Sequence, residues 1–445
     1  LIDGPCVVRN GGPAISVVGV AGRTKLGVTE AFDGSLINRD LGIAAGRRRR
    51  WLEGLEPPAD LSPSARTTLA RALSIMKTQV YTPEGRIKHR WTTPDRWPHR
   101  GMWLWDSVFH AIGWRHVDPE LAREMISAVL DVQQPDGFVP HASTPDDSSD
   151  ITQPPVLALG VSLVNEVAPS PDWLEALYPK LVAYVEWGLE NRDTDGSGLV
   201  EWDIEGDPHC RSGESGMDNS PRFDSATQLD AVDFNAFLAL ECELLCGFAR
   251  SLGRPQDAER WQAQHGELCR LIRERLWSSD LEFFVDREVE SGEQSNVLAG
   301  SGFLPLICGA ANRVQAERLA EHLKDPRTFG TEVPVPTVAA CNEEHYSKDI
   351  WRGPTWVNLN WLIIMGLRRY GLGELADDLK RRTMQTIEKY CERYGVLYEF
   401  YDDRDEVPPP ELLRKGKCAP EVGSLHHVIH DYGWTATLYG DMALA

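Results

Sequence analysis

From residue 64 onward, apolar side chains recur at spacings of three and four, and the pattern restarts about a dozen times. One stripe runs Leu174, Leu177, Leu181, Tyr184, Val185 and Leu189; a second Val232, Ala236, Leu240, Leu244 and Phe248; a third Trp356, Leu359, Ile363, Leu367 and Tyr370. That period marks one face of an α-helix. Pro119 and Pro171 stand at helix openings, and Gly253 and Gly371 follow helix ends, where each residue type fits best. The pattern predicts helices at about 64–79, 104–117, 120–133, 155–166, 171–191, 226–252, 255–277, 299–309, 313–323, 356–370, 373–390 and 431–443, with no short repeat among them. Long polar stretches at about 81–103, 134–154, 192–225, 325–355 and 396–430 separate them. Loops of that length in a compact domain are usually functional or disordered, and these carry most of the unusual residues, so the expectation is an all-α helical barrel with a pocket where the loops gather.

Residues 1–60 read as an N-terminal arm and 61–445 as the helical domain. The arm is rich in glycine, with β-branched runs at 15–20 and 25–29 that predict strands. The four arginines at 47–50 read as a solvated face before the first helix.

Composition narrows the function. Hydrophobic residues at 42% and charged residues at 25% fit a globular chain, and no stretch of about 18 uncharged apolar residues predicts a membrane span. A formal net charge of −21 repels nucleic acid and anionic membrane, so neither is expected as a partner. Nine cysteines without paired spacing read as reduced thiols, and the chain as given opens without a signal-peptide pattern. A cytoplasmic protein is expected, with a homo-oligomer left open.

Five segments combine aromatics with polar groups: 100–110 with Trp103, Trp105 and Asp106; 212–224 with Glu214, Asp218 and Arg222; 348–356 with Trp351 and Arg352; 398–402 with Glu399; and 432–435 with Trp434. Apolar rings beside carboxylates suit a sugar, whose C–H face stacks while its hydroxyls bond. Singly, each segment also fits an ordinary helix cap, turn or strand edge. Gln153, before a prolyl pair, offers an amide to a hydroxyl or caps a helix. The run 193–198 resembles the start of a calcium loop but has Ile204 at the twelfth position, where a glutamate is needed. His426, His427 and His430 lack an HExxH setting. No phosphate loop or dinucleotide fingerprint is present. No metal or cofactor is therefore expected.

Taken in order, Arg-Gly-x-x-Leu-Trp-Asp-x-x-Phe-His (100–110), Ser-Gly-Met-Asp-Asn-x-Pro-Arg (215–222), Trp-Arg-Gly-Pro-x-Trp (351–356), Glu-x-Tyr-Asp (399–402) and Gly-Trp-Thr (433–435) resemble the blocks of glycoside hydrolase family 63. The resemblance spans about residues 85–440 and implies an (α/α)6 barrel and an inverting α-glycosidase. It implies Asp218 as general acid and Glu399 as general base, with Asp106, Gln153, Trp351, Arg352 and Trp434 around the sugar. Trp103, Trp105 and Arg222 of the same blocks complete the expected substrate-binding set. Inversion needs about 6.5–9.5 Å between the carboxyls to admit a water. Glu214 and Glu421 are the rival acid and base.

Few residues precede the first helix, so the chain resembles the compact hydrolases of mannosylglycerate and glucosylglycerate rather than larger members with a leading β-sandwich. Arg90, Arg96, His99 and Arg100 lie in a basic stretch that could receive an aglycone carboxylate, assisted by Arg414 or Lys415, or could form internal ion pairs. The alternatives are a neutral α-glucosidase or trehalase-like hydrolase, and a sugar-binding barrel without catalysis.

Overall fold

The computed structural model describes residues 6–8, 14–20, 23–29, 41–55, 57–205, 207, 210–415 and 427–445. The chain divides into two compact units, Leu1–Pro57 and Pro58–Ala445. In the first, β1 (Cys6–Val8), β2 (Ala14–Val20) and β3 (Arg23–Thr29) form an antiparallel sheet in that order, with Val17 opposite Leu26. The sheet is followed by α1 (Leu41–Glu53). The arginines at 47–50 thus lie inside a helix rather than ahead of one, with Arg47, Arg49 and Arg50 exposed.

The second unit is a double ring of helices. Its inner members are α3 (Leu104–Trp114), α5 (Leu157–Val167), α7 (Val232–Ser251), α9 (Pro305–Cys308), α11 (Val357–Arg369) and α13 (Gly433–Leu444). Each packs on the next, and α13 returns to α3, so the ring closes. The outer members are α2 (Pro63–Thr78), α4 (Pro119–Asp131), α6 (Pro171–Asn191), α8 (Pro255–Arg275), α10 (Arg313–Lys324) and α12 (Gly373–Tyr394). This is the (α/α)6 barrel expected from sequence.

Composition assigns each helix to its ring. Every residue of α3 is buried, as is α13 from Gly433 to Ala443, the mark of a helix surrounded by protein. By contrast, α12 buries one stripe of Ala376, Leu379, Thr383, Ile387, Tyr390 and Cys391. Close packing of α3 on α13 depends on Gly113, where a Cβ would lie 2.4 Å from the Thr437 carbonyl oxygen.

Helix starts differ between the rings. Three outer helices carry their own side-chain caps: Ser62 Oγ accepts from the Ala65 amide, Asp118 Oδ1 accepts from Leu121, and Asn312 with Gln315 makes a capping box, whereas α6, α8 and α12 have none. Inner helices α3, α5, α7, α11 and α13 have no side-chain bond from the cap residue itself. Distant side chains satisfy several of their first amides. Gln153 Oε1 accepts from Trp105, the two Glu241 oxygens accept from Ala158 and Leu159, and Asp286 Oδ1 accepts from Val232. The helix expected at 226–252 accordingly starts at Val232, because Leu229–Asp230 first pairs as a strand with Arg287–Glu288. The helix expected at 299–309 divides into a 3-10 turn, Gly300–Phe303, and α9.

Candidate active site

The segments leading into α3, α5, α7, α11 and α13 meet at one end of the barrel and enclose a cavity of about 260 Å³. Strand Met102–Trp103 pairs with Ala142–Ser143, and Trp103 Nε1 donates to His141 Nε2 at 3.2 Å, which joins the first two segments. The third turns at Gly216 with φ +68°, where a Cβ would lie 2.4 Å from the Trp105 ring; glycine is required there. Asn219 Oδ1 accepts from the Trp351 amide at 3.0 Å and ties the third segment to the fourth. Thr355 and Tyr401 exchange backbone hydrogen bonds of 2.8 and 3.0 Å, and the Glu399 amide donates to the Ile429 carbonyl at 2.9 Å.

Aromatic rings form the apolar wall. Trp351 stacks on Trp356 with centroids 3.8 Å apart, and Trp434 meets Trp105 edge to face at 5.2 Å. Within that wall, Asp106 Oδ1 and Trp434 Nε1 are buried with no hydrogen-bond partner among the described residues. A buried polar atom left unmatched costs about 1–3 kcal/mol, and a sugar hydroxyl can meet both a carboxylate oxygen and an indole N–H.

Two carboxylates on the same cavity are held by neighbouring cations. Arg414 Nε donates to both oxygens of Glu399 at 3.0 Å, and the Ile429 amide approaches Oε2 at 3.4 Å. Lys415 Nζ pairs with Asp218 Oδ2 at 3.0 Å. Burial pushes the Glu399 carboxyl above the usual range, although Arg414 and His99 oppose it. Burial acts on Asp218 in the same sense, but Lys415, Arg414 and His141 outweigh it and hold that carboxyl below its ordinary value. Asp106, desolvated beside Asp95, Glu399 and Asp218, is pushed well up. Burial brings His141 down to about 4, so its ring is neutral near pH 7.

Of the residues expected at the site, Asp218, Glu399, Trp103, Trp105, Asp106, Gln153, Trp351, Trp434 and His99 line the cavity. Arg222 does not: buried, it bridges Asp233 and Asp286 through four bonds of 2.6–2.9 Å. Arg352 also stands off the cavity, with both outer nitrogens 2.7 Å from Asp224. Arg90 is taken by Glu124 at 2.8 Å from two nitrogens, Arg96 is exposed, and Arg100 lies exposed 4.6 Å over the Trp97 ring. Of the basic stretch, only His99 reaches the cavity; its Nδ1 lies 2.5 Å from Asp95.

Glu214, the rival acid, is fully buried, bound to Arg192 and to the amides of Thr152 and Asp203. Glu421 and His426 lie outside the described residues. The stretch from Asp193 is a tight turn, with the Ser197 amide on Asp195 and the Gly198 amide on Asp193. Glu201, the ninth residue from Asp193, brings its carboxylate within 4.8 Å of both aspartates. Sequence reasoning missed His141, which no motif marks, and gave Tyr432 and Trp356 no place of their own on the cavity wall, while Arg414 and Lys415, expected to assist at the aglycone, both line it.

Comparison with known proteins places this geometry. The mannosylglycerate hydrolase MGH1-like glycoside hydrolase domain matches residues 98–435. The mannosylglycerate hydrolase of Thermus thermophilus is 28% identical over 70% of this chain and 91% of its own. The glucosylglycerate hydrolase of Mycolicibacterium hassiacum is 23% identical over 69% of this chain and 87% of its own. A crystal structure of glycoside hydrolase family 63 mannosylglycerate hydrolase from Thermus thermophilus, in complex with Tris and D-glycerate, superposes with a TM-score of 0.68 at 25% identity. It covers 84% of this chain and 99% of that one. With a domain match running through every segment that builds the cavity, the chain belongs to the MGH1-like glycoside hydrolases of family 63.

Proposed function

We propose that the cavity removes a single α-linked glucose or mannose from a small acidic aglycone with inversion at the anomeric carbon, glucosylglycerate and mannosylglycerate being the substrates. The observation that carries this reading is the pairing of two cavity carboxylates, Asp218 and Glu399, with Lys415 and Arg414 beside a wall of tryptophans. A glycosidic oxygen leaves only when protonated, and inversion needs a second carboxylate to take a proton from the attacking water. Asp218 is assigned the first task and Glu399 the second. Trp105, Trp351 and Trp434 stack the sugar while Asp106 and Gln153 bind its hydroxyls. The cavity is smaller than the roughly 300–1,000 Å³ of drug-sized sites, which favours one sugar ring with a short appendage. Lys415 supplies the positive charge that a glycerate carboxylate needs, and the names of the relatives support glycerate as that group.

The cysteines at 210, 242, 246, 269, 308, 341 and 391 are free, which supports a reducing, cytoplasmic setting. An NMR time course with glucosylglycerate, mannosylglycerate, trehalose, kojibiose and maltose tests the activity. Release of the β-anomer first, from a glycerate glycoside, is expected. Early α-anomer would remove the inverting assignment, and turnover of trehalose or maltose alone would make the enzyme a neutral-glycoside hydrolase.

A further inference from the structure

Arg414 and Lys415 are consecutive, yet they serve opposite partners. Arg414 faces Glu399, the carboxylate that must be ionised to activate water, and its contact favours that state. Lys415 faces Asp218, the carboxyl that must carry a proton, and its contact opposes that state. With the ammonium 3.0 Å away, Asp218 is held as an anion. The side chains of Lys415 and Asp218 keep 19% and 23% of their exposure, so a ligand in the cavity can reach the pair. Among the described residues, the other charged or titratable groups around Asp218 are Arg414, His141, Glu205, Cys210 and Asp106. Arg414 is committed to Glu399 and His141 is neutral, so among the described residues Lys415 is the cation that a second anion can draw away.

We propose that Lys415 is the specificity switch of the reaction: the carboxylate of an acidic aglycone takes its ammonium from Asp218, and Asp218 then binds the proton it delivers to the glycosidic oxygen. This rests on the functional reading above. The steps balance. Substrate binding exchanges the Lys415–Asp218 pair for a Lys415–aglycone pair and takes one proton from solvent onto Asp218. Hydrolysis moves that proton to the departing oxygen as the C1–O bond breaks, while water bonds to C1 and leaves its own proton on Glu399. Release of the acid product restores the Lys415–Asp218 pair as Glu399 returns its proton to solvent. An ammonium, with three donors on a flexible stem, suits such an exchange better than a guanidinium fork. A neutral aglycone leaves the ion pair in place, so discrimination appears in kcat as well as KM.

Two measurements test the switch. The first is the proton count on binding a non-hydrolysable sulfur-linked glucosylglycerate to the wild-type enzyme near pH 7, obtained from calorimetry in buffers of different ionisation heat. Uptake of about one proton per site is expected for the acidic ligand and about none for the sulfur-linked glucosylglycerol. Equal counts would overturn the proposal. The second is the ratio of kcat on glucosylglycerate to kcat on glucosylglycerol. In Lys415→Met this ratio should fall by about tenfold or more, because the acidic aglycone loses the cation that answers it, and Lys415→Arg should restore part of it. An unchanged ratio in Lys415→Met, with normal turnover by the wild type, overturns the switch alone. No turnover of either glycerate glycoside by the wild type overturns the functional reading and the switch together.

Discussion

Arg414 directs its Nε at both oxygens of Glu399, 3.0 Å from each, and both side chains are buried. Burial pushes Glu399 up, and of the groups that oppose this Arg414 acts most strongly, keeping the ionised form within reach. Removing the guanidinium raises the carboxyl further. If Glu399 is the base, as proposed, it works only when ionised, so the acidic limb of kcat/KM is expected to move to higher pH. Arg414→Met is expected to lose about tenfold or more in kcat/KM at neutral pH and to regain part of it as pH rises. Arg414→Lys should fall between. An acidic limb that stays in place in Arg414→Met would show that Glu399 is not the titrating base.

Substitution of the two carboxylates separates their tasks. Asp218→Asn and Glu399→Gln should each lower kcat on a natural glycoside by about 10²–10⁴, with sugar binding retained. With a dinitrophenyl α-glycoside, whose leaving group needs no proton, Asp218→Asn should recover most of its loss and Glu399→Gln should not. Recovery by Glu399→Gln instead would exchange the roles.

What the sequence made legible follows from where the relevant partners lie. The outer helices α2, α4 and α10 announce their starts because the caps Ser62, Asp118 and Asn312 are local. Inner helices do not, because Gln153, Glu241 and Asp286 reach their amides from other parts of the chain. The same distinction governs the site. Asp106, Trp351 and Trp434 sit in recognisable blocks that the barrel brings together. The basic stretch before them looked like an anion receptor because its partners are remote: Arg90 finds Glu124 and His89 finds Asp131, both on α4. Local spacing holds no trace of those pairings, or of Lys415 on Asp218.

Arg222 was expected to touch substrate, but its place makes it structural. Its guanidinium compensates Asp233 and Asp286, which are almost fully buried, and Trp202 Nε1 adds a bond to Asp233. Arg222→Ala would leave two buried carboxylates without a counter-charge, at a cost of about 3–5 kcal/mol. Thermal unfolding should show a marked fall in Tm, and whatever fraction folds should keep a near-normal KM. A raised KM with unchanged Tm would return Arg222 to the substrate site.

Asp106 offers the sharpest test of sugar recognition. It stands in the first turn of α3, 3% exposed, with Oδ1 unpartnered in the cavity wall, and its carboxyl is pushed well up by burial and by neighbouring carboxylates. Leaving such a group unmatched is costly, and on the proposed reading a sugar hydroxyl would supply the missing bond. Asp106→Ala removes both the cost and the bond, so the protein should be as stable as the wild type or more so while substrate affinity falls. Leaving a buried polar group without its hydrogen bond corresponds to about 1–3 kcal/mol, or roughly 5–100-fold in kcat/KM. The loss should be largest when the sugar hydroxyl that meets Asp106 is present, and nearly absent with the deoxy sugar lacking it. Scanning deoxy glycosides against Asp106→Ala therefore identifies that hydroxyl. An equal loss for every deoxy substrate would mean that Asp106 shapes the cavity without touching the sugar.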